Sequence, residues 1–272
     1  TASDSTTSTP GQLAAQLWTF RYDLEKDVPG TLKKIKDLGI SYVEGFDAPY
    51  IVGNPDAFKS QLDAAGLKMF ALHWNTLNDW RKDPTVILET AKKLGAHYTG
   101  IAWLKETFED SVTLDIVNEA ADILMKACPQ AKESGLQLYY HIHGYELQPM
   151  QDQKTFFDSF VSRIDYSCVR LEMDVFWVKH PGQDPVALLK KYPERFLMMH
   201  LKDRKPGTPS TLDGHADVET NVILGYGDVG IAEIMANAKN VKYFFIEDES
   251  SRVLEQVPSS LAYLKGLSDA SK

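Results

Sequence analysis

Two cysteines in 272 residues, without a CxxC pair, leave no thiolate zinc site and no redox dithiol to build on. Cys128 falls in a helical pattern and Cys168 at the start of a strand. Both read as buried thiols, with a disulfide as the open alternative. Positive charge is also in deficit: 29 lysines and arginines face 38 acidic residues, a formal net charge of -9. Binding to nucleic acid relies on an excess of cations that neutralise phosphates, so no nucleic-acid partner is expected. No apolar run approaches the roughly 18 residues of a spanning helix, and no membrane span is expected. A Gly-rich phosphate loop is missing too, since Trp18-Thr-Phe-Arg21 after the first strand has no GxGxxG. The ligand left by these exclusions is a small molecule.

What the chain does have is a repeating phrase. Residues 1–10 are rich in Ser and Thr with almost no large apolar side chain, so residues 1–11 read as a disordered polar tail. Such a spacer often follows a removed export signal, which makes an exported or periplasmic protein one expectation and a cytoplasmic one the other. From residue 12 to 272 a single domain is expected, its 43% hydrophobic content being enough for one large core. Residues 13–20 read as a strand and 28–38 as a helix, with Asp27 at the N-cap and Pro29 in the first turn. Gly39 closes that helix, and the same close returns at Gly66, Gly95 and Gly135. Further strands are expected over 42–46, 69–73, 97–103, 137–143, 169–174, 196–200 and 242–247. Helices are expected to start near Pro55, Thr85, Thr113, Thr155, Pro185 and Ile231, with a last one over 258–267. Strands and helices alternating eight times in about 260 residues predict a closed parallel (β/α)8 TIM barrel.

In such barrels reactive groups gather at the C-terminal ends of the strands. The last inward position of each strand gives Glu44, His73, Lys105 just past Trp103, His143 with His141 below it, Asp174, His200 and Glu247. The strand interiors, by contrast, are apolar. Strand alternation places Tyr139, His141 and His143 on one face. A strand-five histidine followed by Asp174, His200 and Glu247 is a donor set for one divalent metal ion of the Mn, Co, Zn or Mg type. An ion of this kind would polarise a sugar ketone and stabilise the enediolate formed by loss of the neighbouring proton. Bases for that proton are Glu247 and whichever of His141 and His143 is not a ligand, and Lys202 is placed to donate a proton or hold the enolate oxygen. Arg170 and Glu172, deeper on the Asp174 face, read as a buried ion pair. His180, His215 and the run 202–206 read as solvated loops. Trp18, Trp74, Trp103 and Trp177 fall at or near strand ends, where they could stack on sugar or simply pack. The long segment 203–226 reads as a lid over the mouth or as an inter-subunit contact in a homo-oligomer.

Taken together, Gln16-Leu-Trp-Thr-Phe-Arg21, Tyr140-His-Ile-His-Gly-Tyr-Glu146, Leu171-Glu-Met-Asp-Val-Phe-Trp177, His200-Leu-Lys-Asp203, Gly225-Tyr-Gly-Asp228 and Phe245-Ile-Glu-Asp-Glu249 resemble the xylose-isomerase-like TIM barrels. These belong to the AP-endonuclease family 2 superfamily and are often labelled sugar phosphate isomerase/epimerase. The resemblance runs from Gln12 to the C-terminus. In that family strands five to eight hold one divalent ion with a Glu, Asp, His, Glu set. Carried over, it implies His141 (or His143), Asp174, His200 and Glu247 as metal ligands, with His143, Glu247 and Lys202 as catalytic groups. Glu44, His73, Lys105, Glu146 and Trp177 would then contact substrate. The histidine stands where ketose 3-epimerases carry a proton-transferring glutamate, and the Tyr-His-x-His strand is similar to enzymes acting on oxidised sugars. The expected activity is therefore a metal-dependent carbohydrate isomerase or epimerase. Its alternatives are a lyase or hydrolase of 3-keto-glycosides working by β-elimination, and a barrel that only binds sugar.

Overall fold

A computed structural model describes residues 11–270. The expected tail lies, apart from Gly11, outside the described residues. Eight parallel strands close into a barrel in which each pairs with its sequence neighbours and the last pairs with the first. In order they are Gln12–Gln16, Tyr42–Gly45, Lys68–His73, Tyr98–Ile101, Gln137–His141, Val169–Asp174, Phe196–Leu201 and Tyr243–Ile246. Crossover helices run between them, Leu114–Glu133 being the longest, and helix Val253–Ala270 follows the last strand. The Asp27 carboxylate accepts from the Gly30 N–H at 3.0 Å and starts helix Val28–Asp37. Gly39 follows with φ +87°, a conformation that costs glycine nothing.

Two layers of apolar side chains result. A small cluster that includes Ala14, Phe70, Tyr139, Met198 and Phe245 fills the barrel below the mouth. A much larger one lies between strands and helices. The parallel ladder shifts register between Val43 and Glu44 and again between Leu171 and Glu172. Each irregularity falls immediately before a buried glutamate, Glu44 or Glu172.

Several expectations are corrected. The first strand ends at Gln16, because the Gln16 side chain accepts the Trp18 N–H at 3.1 Å and turns the chain into a 3-10 segment, Leu17–Phe20. The fifth strand stops at His141, leaving His143 just beyond it. The last helix begins at Val253, so Pro258 lies within it and removes one intrahelical bond instead of marking the start. Short additional helices such as Val175–Lys179 break the simple eightfold alternation. The run 202–206 is not a solvated loop, since Lys202, Asp203 and Arg204 are buried. Asp203 accepts the N–H groups of Gly225, Gly227 and Val229, and Arg204 pairs with Asp228 at 3.0 Å. These bonds seat segment 203–226 as a wall of the barrel mouth.

Cys128 and Cys168 are not free thiols but a disulfide, with Cα atoms 6.0 Å apart and 40 residues between them in sequence. The bridge ties helix Leu114–Glu133 to the base of the sixth strand, at the end of the barrel away from the mouth. Closing a loop of that length restrains the unfolded chain, so replacing both cysteines with alanine is expected to cost about 2–4 kcal/mol. Denaturant melts check the loss, and metal content of the variant should match wild type.

Candidate metal centre and active-site mouth

A cavity of about 420 Å³ opens at the C-terminal end of the strands, and His73, His141, His143, His200 and Glu247 reach into it. Below it, two glutamates orient the imidazoles. Glu172 Oε1 lies 2.7 Å from His141 Nδ1 and 2.9 Å from His200 Nε2, while Glu44 Oε1 lies 2.6 Å from His200 Nε2. A carboxylate oxygen accepts, so those ring nitrogens donate. That leaves His141 Nε2 and His200 Nδ1 facing the opposite way, toward Asp174 Oδ2, which is 3.6 Å from each. Glu247 Oε2 completes the group at 2.7 Å from His200 Nδ1.

The electrostatics of this cluster call for a cation. Burial lowers the His200 pKa, but Glu172, Glu44 and Glu247 together raise it well above the usual histidine range. Without a metal, then, an imidazolium balances the carboxylates. His141 goes the other way: burial, and then the neighbouring imidazoles, hold it neutral. Burial would raise Glu247, and Lys202 with His200 hold it below its ordinary value. Asp174 is raised by burial. Its Oδ1 accepts the N–H groups of Phe176 and Trp177 at 3.1 and 3.4 Å, whereas its Oδ2 is buried without a hydrogen-bond partner. An orphaned carboxylate oxygen beside two imidazole nitrogens fits a divalent ion: Asp174, His200 and Glu247 form one compact donor group, and His141 Nε2, 3.6 Å from Asp174 Oδ2, could extend it to four. The deeper grouping of His73, His141, Glu172 and His200 is also compact. There, however, Glu172 already engages both His141 and His200, and it is fully buried beneath the cavity where no substrate oxygen can reach.

His143 sits at the lip. Its Nδ1–H donates to the Ala102 carbonyl at 3.0 Å, so its Nε2 carries the lone pair. Its ring stacks on Trp177 at 5.0 Å. Burial first, and then Lys202, takes its pKa down to about 3. His73 also faces the cavity, its Nδ1 2.8 Å from the Tyr139 hydroxyl, which in turn donates to Glu44.

Other predicted contacts are not brought to the cavity. Glu44 is fully buried at its floor, accepting from Gln16 Nε2 at 2.7 Å. Glu146 is buried as well, and accepts the His143 and Gly144 N–H groups at 3.0 and 2.8 Å together with the Tyr140 hydroxyl, so it shapes the turn that carries His143. Lys105 Nζ lies 3.0 Å from His215 Nε2 and opens on an adjoining cavity. Lys202 is buried against Trp177 and Phe176 and paired with Glu249. Burial would lower it, but Glu247, Glu249 and Asp174 keep it a firm ammonium, so its place is to hold charge and not to give up a proton.

Glu172 is buried on the inner face as expected, but with other partners than the one expected. Arg170 does not pair with it but stacks over Tyr166 at 4.0 Å. The shared parity of Glu172 and Asp174 was the available signal. Glu249, two residues past Glu247, also lines the cavity, and the two loop histidines are not solvated as expected. His180 is buried and bonded to Thr211, while His215 lines the mouth. Because Glu172 fixes the tautomers of two ligand histidines, Glu172→Gln should weaken metal affinity about 10–100-fold. Titration of the metal-free protein with Zn or Mn checks it.

Residues 32–267 match the family described as xylose isomerase-like TIM barrel. The chain belongs to that family. Among proteins similar to this xylose isomerase-like barrel is the inosose dehydratase of Clostridium beijerinckii, 34% identical over 84 residues. That match spans 30% of this chain and 27% of the enzyme, well under half of the relative's length. A sugar phosphate isomerase/epimerase from Parabacteroides distasonis superposes with a TM-score of 0.73 at 21% identity, covering 97% and 98% of the two chains. A xylose isomerase-like TIM barrel protein from Mycobacterium smegmatis, in complex with magnesium, gives 0.71 at 16% identity over 96% and 97%. At those identities the two structures speak to the fold. They agree with the architecture read from the glycine phrases and strand ends.

Proposed function

We propose that this xylose isomerase-like barrel is a divalent-metal-dependent enzyme that removes the proton beside the ketone of an oxidised sugar or cyclitol and then expels the substituent one carbon further on. A bound cation would supply Lewis acidity at the ketone oxygen and lower the barrier to losing the neighbouring proton. His143 Nε2, unprotonated and facing the cavity, takes that proton. Its tautomer is set by the Ala102 carbonyl and its ring plane by Trp177. Lys202, a fixed ammonium behind Glu247 and Glu249, supports negative charge developing in the mouth.

The observation that carries elimination over epimerisation is the fifth strand. Inverting a carbon through two opposed carboxylates needs one there, and the strand ends instead in His141, committed to Glu172 through Nδ1. The inosose dehydratase similarity supports the same reading. Isomerisation is the second reading, because one base such as His143 can carry a proton between adjacent carbons. The Cys128–Cys168 bridge supports an exported protein, disulfides being kept in oxidising compartments.

The test is product analysis by NMR after incubating zinc- or manganese-loaded protein with a 3-keto-glucoside and with a keto-cyclitol. An unsaturated ketone with a freed leaving group is expected. An isomeric ketose or aldose with the substituent retained would move the assignment to the second reading, and no conversion of either compound would overturn both.

A further inference from the structure

The mouth has a charge pattern that selects among sugars. Among the described residues, the cavity lining contains no lysine or arginine, while Glu247 and Glu249 both face it. A divalent ion would be offset by Asp174 and Glu247; Lys202 is buried and paired with Glu249, and Lys105, 3.0 Å from His215 Nε2, lines the adjoining cavity instead. A phosphate group in this cavity would face two carboxylates and no lysine or arginine of its lining.

Around the same opening stand aromatic rings on two sides. Trp18 follows the first strand and packs edge-on against Phe46 at 5.1 Å. Across the barrel, beyond the fourth strand, Phe108 lies against the His215 ring at 3.7 Å, and Trp103 packs behind at 5.6 Å from the same histidine. Trp18 is 37% exposed and Phe108 69% exposed, large apolar faces that folding leaves in water. Trp18 is nonetheless held in place. Its Nε1–H donates to Glu249 at 2.8 Å and the Arg21 guanidinium lies over its ring at 4.8 Å. An indole fixed in orientation and left open to the cavity is a stacking platform awaiting a flat face.

We propose that the site takes an unphosphorylated sugar that still carries a second flat group, an aromatic aglycone or a second sugar ring, seated on the rim formed by Trp18 and Phe108. This rests on the reading of the mouth as a carbohydrate site given above. It names what the expelled substituent is: the rim holds the leaving group while the barrel floor holds the sugar ring.

Calorimetric binding to manganese-loaded protein tests it with compounds that have no ketone and cannot react: glucose, glucose 6-phosphate, p-nitrophenyl β-D-glucopyranoside and cellobiose. At least one of the two glycosides is expected to bind about tenfold tighter than glucose, the worth of one good stacking contact, with the phosphate ester no tighter than glucose. A preference for the nitrophenyl compound assigns an aromatic group, and one for cellobiose a second sugar. Trp18→Ala and Phe108→Ala should each remove most of that preference while retaining wild-type metal content. Tighter binding of glucose 6-phosphate, glycosides no tighter than glucose, or a preference untouched by both variants would overturn the proposal. Because no chemistry is read, its failure is separate from a failure to convert keto-sugars.

Discussion

Asp174→Ala is expected to empty the metal site and lower kcat/KM about 10³–10⁴-fold, the scale of losing the principal electrostatic stabiliser of a transition state. The reason is geometric. Among the described residues, Asp174 Oδ2 is the buried oxygen that lies 3.6 Å from both His141 Nε2 and His200 Nδ1, and it makes no hydrogen bond. The same residue caps helix Val175–Lys179 through Oδ1, so the alanine variant also loosens the turn that carries Trp177. Asp174→Asn separates the two roles. Its amide oxygen can keep the cap while the charge and the second carboxylate donor are gone. Elemental analysis of protein purified without chelator should give about one equivalent of metal in wild type, and well under half of that in both variants and in His200→Ala. Full metal in Asp174→Asn would place the ion elsewhere, with the deeper histidines the next candidates.

The second large effect belongs to His143. His143→Gln should lower kcat about 10²–10⁴-fold, the usual contribution of a positioned general base, with metal content unchanged. Its pH profile follows from burial, which takes the imidazole pKa to about 3, and a bound cation would push it the same way. The neutral form is the active one and persists above that value. From pH 8 down to about 5, then, no loss of kcat should arise from protonating this base. A rate that falls with the pKa near 6.5 of an ordinary histidine would assign the base elsewhere.

Much of this was legible in the chain. Gly39, Gly66, Gly95 and Gly135 after four of the crossover helices, and caps such as Asp27, punctuate the barrel, because helix ends have few stereochemical solutions. The site was legible for a related reason: a strand buried on both faces cannot carry ionisable groups in its interior at no cost, so their arrival at strand ends stands out. What was hidden depends on distance in sequence. Nothing in a separation of 40 residues says that Cys128 and Cys168 are neighbours. Lys202 and Arg204 look like solvated cations until Glu249 and Asp228 arrive from later segments to pair with them. Parity places Glu172 on the inner face below Asp174, but its partners His141 and His200 come from other strands, which the periodicity of one strand cannot record. His180 and His215 read as surface in the sequence because their partners, Thr211 and Lys105, stand 31 and 110 residues away.

Removal of the proton beside a ketone with the help of a metal is the centre of the account. It is tested most directly with a keto-sugar carrying tritium on the carbon next to the carbonyl. Zinc- or manganese-loaded wild type should release the label into water as substrate is consumed, while metal-free protein and His143→Gln release almost none. Substrate consumed with tritium still on its original carbon, or label lost equally fast from protein without metal, would contradict it.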